Sequence, residues 1–207
     1  MREIEDVGAL AKTYDLAVSG AGPAGMAAEA AAGLGLSTLA LDENAGPGGQ
    51  IYRAVTSTPV RTRATLGEDY WRGAELAASF GASNGDYARA ATVWSVGPGF
   101  DAEERENGLE VVVSLGGSAH LVGAKEVVLA MGALERPFPI PGWTLPGVMT
   151  AGAAQIALKT SGLDPYALTY HTMSTGLSLS RRLGQSADSG RARPGRLQGG
   201  EGHQGQA

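Results

Sequence analysis

Tyr14-Asp-Leu-Ala-Val-Ser-Gly20-Ala-Gly-Pro-Ala-Gly25 decides the fold of this 207-residue chain. Tyr14 to Ser19 is a short apolar run that stops at glycine, the pattern of a buried strand. Pro23 to Leu34 is rich in alanine, with Met26 and Glu29. It predicts a helix opened by proline in its first turn and ended by Gly33 and Gly35. Ser37-Thr-Leu-Ala-Leu41 is a second apolar run, and it meets Asp42. Strand, glycine turn, helix and strand within about thirty residues make a βαβ unit, hence a parallel sheet with a right-handed crossover.

Each glycine of Gly20-x-Gly22-x-x-Gly25 has a separate task. The first permits a tight turn, the second lets backbone approach a pyrophosphate, and the third lets helix and strand pack closely. Asp42 follows Gly20 by 22 positions, where a carboxylate accepts a bond from a ribose hydroxyl and repels a 2′-phosphate, which argues against NADP. A packing turn in any α/β protein also fits the glycines alone. Strand, helix and terminal acid together favour a dinucleotide. FAD and NAD share this cradle, so the choice falls to Pro47-Gly48-Gly49-Gln50 and to Ala130-Met-Gly132. A flavin cofactor needs backbone from several loops, whereas an ordinary surface turn is the alternative for Gly48-Gly49.

Further along, Asn44 to Gln50 is a Gly/Pro loop, and Leu66 to Phe80 predicts a helix with Tyr70, Ala74, Ala77 and Phe80 on one side. Ala91 to Val96 is strand-like. Leu109 to Leu115 and Ala119 to Val122, separated by Gly116-Gly117, predict a β-hairpin, preceded by a solvated acidic stretch from Asp101 to Glu106. Glu126 to Ala130 predicts a buried strand ending in Met131-Gly132. Pro137, Pro139, Pro141 and Pro146 impose an extended segment, and Ala151 to Lys159 predicts a helix. After about Leu163 the pattern decays. Residues 181–207 contain seven glycines and only Leu183 and Leu197 as large apolar residues, too little burial to offset ordering entropy. The expectation is an α/β, Rossmann-like domain over 1–163 with a parallel sheet and a hairpin excursion, incomplete at its C-terminus, then a divergent, disordered tail over 164–207.

Composition excludes several classes. The chain is 43% hydrophobic and 18% charged, so it can bury a core, and its 32 glycines follow no collagen period. It has no cysteine, which removes disulfides, thiolate metal sites and cysteine nucleophiles. A net charge of −5 offers no general field for nucleic acid. Five arginines against Asp188 and Glu201 make residues 181–207 locally +3. No apolar run spans a membrane, and Met1 to Asp6 is acidic where a signal peptide is basic, so a cytoplasmic protein is expected.

Ala17 to Arg53, with Leu41-Asp-Glu43 and Pro47-Gly-Gly-Gln-Ile-Tyr-Arg53, resembles the flavoproteins with two dinucleotide-binding domains. Gly132-Ala-Leu-Glu-Arg-Pro137 and Pro141-Gly-Trp-Thr-Leu-Pro-Gly-Val-Met-Thr-Ala-Gly-Ala-Ala-Gln155 are more specific. They are similar to the FAD/NAD-binding α-type subunits of opine oxidases, hydrogen cyanide synthase and related amino-acid dehydrogenases. The resemblance covers roughly residues 14 to 163. It implies an FAD-dependent oxidoreductase component that works with a second flavin-containing (β-type) subunit, which oxidises the amine. It also implies that Gly20, Gly22, Pro23 and Ala24 line the FAD pyrophosphate, with Gly25 packing the helix. Asp42 would bind the adenosine ribose, and Glu43, Gly49 and Gln50 would extend toward the flavin. Gly132 would approach the cofactor at a strand end where Met131 replaces the family's usual threonine.

The family pattern continues into a second G-x-G-x-x-G unit for NAD, a closing glycine–aspartate motif and commonly a cysteine-rich cluster segment. None of the three is in these 207 residues. The resemblance therefore predicts a truncated or frameshifted subunit without the NAD site, with weak FAD retention. The alternatives are a non-catalytic dinucleotide-binding module and an inert fragment. Of the other candidates, His120, His171 and His203 lack metal spacing, and Trp71, Trp94 and Trp143 suit packing. Ser174 and Ser178 lack a nucleophile elbow, and Glu103, Glu104 and Glu106 suit a solvated charge run. No catalytic residue and no metal ligand is assigned, because in flavoenzymes the cofactor carries the chemistry.

Overall fold

The computed structural model describes residues 1–99, 108–146, 148–163 and 169–170. Its strands are β1 (Arg2–Ile4), β2 (Thr13–Ser19), β3 (Thr38–Asp42), β4 (Asp86–Arg89), β5 (Thr92–Pro98), β6 (Leu109–Leu115), β7 (Ser118–Leu129), β8 (Val148–Met149) and β9 (Thr169–Tyr170). Its α-helices are α1 (Pro23–Ala28), α2 (Arg63–Leu66), α3 (Glu68–Gly81) and α4 (Ala151–Ser161). The main sheet runs β1-β4-β3-β2-β7-β6-β5. Its first five strands are parallel, and β6 and β5 continue antiparallel. A separate parallel pair joins β8 and β9.

Every residue of β3 is buried, as a strand covered on both faces requires. Alternation divides it: Leu39 and Leu41 join one core with Ile4, Tyr14 and Val111, whereas Ala40 joins another with Met26, Phe80 and Leu158. The expected α/β class with a parallel sheet is the fold observed.

Several elements differ from expectation. The helix from Pro23 is α-helical only to Ala28 and tightens to a 3-10 helix over Glu29–Leu34, which runs through Gly33 and closes at the expected Gly35, with φ 83°. The change begins at Glu29, whose fully buried carboxyl accepts a bond from Thr38. Leu66 to Phe80 is divided by Gly67 at φ 77°, and α3 buries Tyr70, Gly73, Ala77 and Phe80. Ala74 is exposed; Gly73 takes the inner place because the Tyr52 ring lies where its side chain would be.

The hairpin forms at Gly116-Gly117, both at positive φ (59° and 81°), but its return strand does not stop at Val122. It is one strand with Glu126 to Leu129. β7 pairs antiparallel with β6 from Ser118 to Ala124 and parallel with β2 from Gly123 to Leu129. Its end is not buried either. Val128 and Leu129 are 37% and 59% exposed, since pairing with β6 ceases at Leu109–Ala124. Trp94 and Trp143 are exposed rather than packed, whereas Trp71 meets Tyr70 edge-on at 5.1 Å.

β1 and β4, too short to read from periodicity, are tied by charge. Asp86 accepts from Arg2 Nε at 2.8 Å and from the buried Tyr14 hydroxyl at 2.7 Å. Among the described residues no helix is long and apolar enough to cross a membrane. The expectations for Asp101 to Glu106 and for His171, His203, Ser174 and Ser178 lie outside the described residues, as does the tail expected over 164–207 apart from Thr169 and Tyr170, which form β9.

Candidate functional site

The glycine bend sits at the carboxyl ends of three adjacent parallel strands, where open α/β sheets bind their ligands. Gly20 follows β2 at φ 102°, donates its amide to the Leu41 carbonyl at 2.7 Å, and has the Ala130 carbonyl 2.5 Å from where a Cβ would stand. Gly22 caps α1 in an extended conformation, with Pro23 in its first turn. Gly25 lies behind the bend, and a side chain there would collide with the Gly20 carbonyl. A strand-to-helix junction thus holds all three glycines, and bulk is excluded at Gly20 and Gly25.

The second glycine turn is built against the first. Gly48 donates its amide to the Ala21 carbonyl at 2.8 Å. Gly49, at φ 56°, would place a Cβ 2.9 Å from the Gly22 Cα. Gly48-Gly49 is therefore a brace for the bend, not an ordinary surface turn.

Asp42 ties the first turn to the start of the loop that carries the second. Its carboxylate, 6% exposed, accepts the Ala21 amide at 2.5 Å on Oδ2, and on Oδ1 the Asn44 amide at 2.7 Å and side-chain Nδ2 at 2.8 Å. Asn44 in turn accepts from the Arg53 guanidinium. One bond on Oδ2 leaves that oxygen a further lone pair.

These turns open on a cleft of about 720 Å³. Gly20, Gly22, Pro23, Ala24, Asp42, Glu43, Gly49, Gln50 and Gly132 line it, with the apolar Leu129, Met131 and Leu134. Nine of the ten expected binding residues are thus brought together, with Gly25 packed behind them. The cleft falls in the size range of small-molecule and cofactor sites, and no side chain plugs it.

Three contributors escaped the sequence reading. Arg53 lines the cleft, and its Nε is buried without a partner. Asn44 links it to Asp42. Lys159 of α4 is 8% exposed and bonds the Gln50 and Ile51 carbonyls from beneath. The available signal was a lone lysine following Ile156-Ala-Leu158 at i+4 from Gln155. His120 sits on β7 opposite Val113, away from the cleft lining, and no group of three metal-ligating side chains occurs among the described residues.

No family model matches the chain. It is 52% identical over 169 residues to the opine oxidase A subunit of Agrobacterium tumefaciens (strain Ach5), a match that covers 80% of this chain and 33% of that protein. It is 35% identical over 150 residues to hydrogen cyanide synthase subunit HcnB of Pseudomonas aeruginosa, covering 72% and 31%. The chain thus spans about a third of the length of the curated relatives it matches. Among solved structures, L-proline dehydrogenase from P. horikoshii superposes with a TM-score of 0.61 at 17% identity, covering 90% of this chain and 34% of that one, a likeness of fold. Over the matched residues, the chain is similar to the group that contains the opine oxidase A subunit and hydrogen cyanide synthase subunit HcnB.

Proposed function

We propose that the cleft holds FAD, and that the chain is the FAD-binding portion of an α-type subunit in a complex that oxidises amino acids or opines. The observation that carries this reading is the pair of glycine turns, Gly20–Gly25 and Gly48-Gly49, packed backbone to backbone at the mouth of an open cleft. FAD and NAD share the first turn; the second sets bare backbone beside it, as a flavin cofactor that draws on several loops requires. The relatives named as oxidase and synthase subunits support the same reading.

Gly22, Pro23 and Ala24 would hold the diphosphate, Asp42 Oδ2 would accept an adenosine ribose hydroxyl, and Gly49, Gln50 and Gly132 would border the flavin half. Glu43, next to Asp42, would extend the contacts from the ribose toward the flavin. When bound, FAD supplies two-electron redox chemistry toward an amine and an electron acceptor. The chain's own residues would bind and orient, and Leu129, Met131 and Leu134 would offer apolar side chains to the ligand at that end of the cleft. A second flavin-containing (β-type) subunit would carry the amine-oxidising site.

A dipole or a single hydrogen bond contributes about 1 kcal/mol, against roughly 8 kcal/mol for micromolar affinity, so binding must sum over both turns. Titration of FAD into the purified chain should quench flavin fluorescence saturably, with ADP competing. Absence of quenching by a chain that unfolds cooperatively overturns the proposal. Co-expression with a β-type partner, followed by a dye-reduction screen over amino acids and opines, tests the assignment of the complex.

A further inference from the structure

We propose that Lys159 is a positioning residue for the cofactor: from α4 it fixes the Gln50–Ile51 stretch in the shape that receives the flavin half of the dinucleotide. The proposal rests on the FAD reading above and names the residue that sets the loop's geometry. Lys159 Nζ donates to the Ile51 carbonyl at 2.9 Å, the Gln50 carbonyl at 3.2 Å and Gln155 Oε1 at 3.0 Å. All three donors are thereby used, across 108 and 109 residues for the two loop bonds. It is 8% exposed and has no carboxylate partner among the described residues.

That arrangement is costly for packing alone. A buried ammonium without a counter-ion loses hydration that carbonyl dipoles only partly return, and methionine would fill the same space without that loss. The return lies in the loop. Residues 48–53 have no regular secondary structure, and the Gln50 and Ile51 carbonyls face α4 with Lys159 as their donor. Gln155, one turn earlier on α4, holds Nζ in line. The Tyr70 ring from α3 stands 5.5 Å from Nζ and shields it. Gln50 and Ile51 also line the cleft, so the stretch that Lys159 holds borders the proposed binding site.

Burial, then the neighbouring Arg53 charge, pushes the Lys159 ammonium down to about 8, consistent with a group held for its bonds and not for an ion pair. Arg53 from the loop and Tyr70 from α3 are the titratable groups that face it.

The test compares Lys159→Met, Lys159→Gln and Lys159→Arg with the wild type in the full chain. FAD and ADP affinities are measured by calorimetry, and amide exchange over residues 50–53 is measured without ligand. ADP engages only the Gly20–Gly25 bend and Asp42. K159M should therefore weaken FAD about tenfold, with ADP changed less than about twofold, and should speed exchange of the loop. K159R should recover most of the FAD affinity, and K159Q, which keeps two N–H donors on a shorter side chain, serves if K159M does not fold. Equal losses for FAD and ADP, or an unchanged FAD-to-ADP ratio with unchanged loop exchange, overturn the role of Lys159. A wild type that binds neither ligand overturns the FAD reading and the cofactor role together, and the exchange data then report separately whether Lys159 holds the loop.

Discussion

Asp42 and Ala21 are joined by a 2.5 Å hydrogen bond from the backbone amide at the apex of the glycine bend to a carboxylate at the end of the neighbouring strand. The residue that the sequence marks for a ribose thus also holds the bend that would receive a diphosphate. Replacing it with alanine strips acceptors from the buried Ala21 amide and the Asn44 amide. Each orphaned amide costs about 1–3 kcal/mol. D42A should lose about 2–4 kcal/mol in denaturant unfolding and at least tenfold in ADP affinity. D42N, which keeps an acceptor oxygen, should fall between. An ADP affinity that survives D42A would separate the bend from the binding site.

Gly49→Ala tests the brace between the turns. The added methyl meets the Gly22 Cα at 2.9 Å, and alanine is strained at φ 56°. The expected cost is about 1–3 kcal/mol, with FAD binding lost by more than stability alone explains, because Gly22 is the residue displaced. Gly33→Ala is the control, since nothing stands within 4 Å of that position. Its melting temperature and FAD affinity should stay near wild type.

Acid should release β1. Burial alone would raise the Asp86 carboxyl, but the bonds from the Arg2 guanidinium and the Tyr14 hydroxyl outweigh it and hold the group below the usual carboxylate range. A folded-state value below the unfolded one means that the unfolded chain protonates first as pH falls. The contribution is therefore full above the ordinary carboxylate value, fades below it, and is lost as pH falls through the lower folded-state value. Unfolding free energy measured from pH 6 to pH 3 should fall less steeply in Asp86→Asn than in the wild type. Equal slopes would remove Asp86 from the acid transition.

How much of the fold and site is legible in the sequence follows sequence distance. β2, the bend, β3 and Asp42 lie within one short span, so spacing alone places strand, turn and acid. The early end of α1 depends on Glu29 finding Thr38, a partnership that exists only once the crossover has closed. Local pattern divides β7 because Gly123, inside the strand, resembles a break; in the fold it is the residue where pairing passes from β6 to β2. Arg2 with Asp86, and Lys159 with Gln50, meet across 84 and 109 residues, beyond any local pattern. The binding residues are legible because glycine and acid carry their own geometric signature. Their supports are not, because arginine and lysine on a helix or strand ordinarily face water.

Alkaline pH gives Lys159 a signature of its own. Its folded-state value lies near 8 against 10.5 for the free side chain. Between those values the unfolded chain holds a proton that the folded chain has released, so stability must rise with pH across that window. Burial pushes the Tyr14 hydroxyl the opposite way, to about 12, and its contribution is present below the ordinary phenol value of 10 and declines as pH rises from there. The two effects overlap near pH 10, so the wild-type curve alone does not isolate the lysine. The difference between wild type and K159M does, because Tyr14 is common to both. That difference should climb on the order of 2 kcal/mol between pH 8 and 10.5 in urea unfolding. A flat difference curve would mean that Nζ is hydrated in solution, and that the bonds to Gln50 and Ile51 do not set the loop.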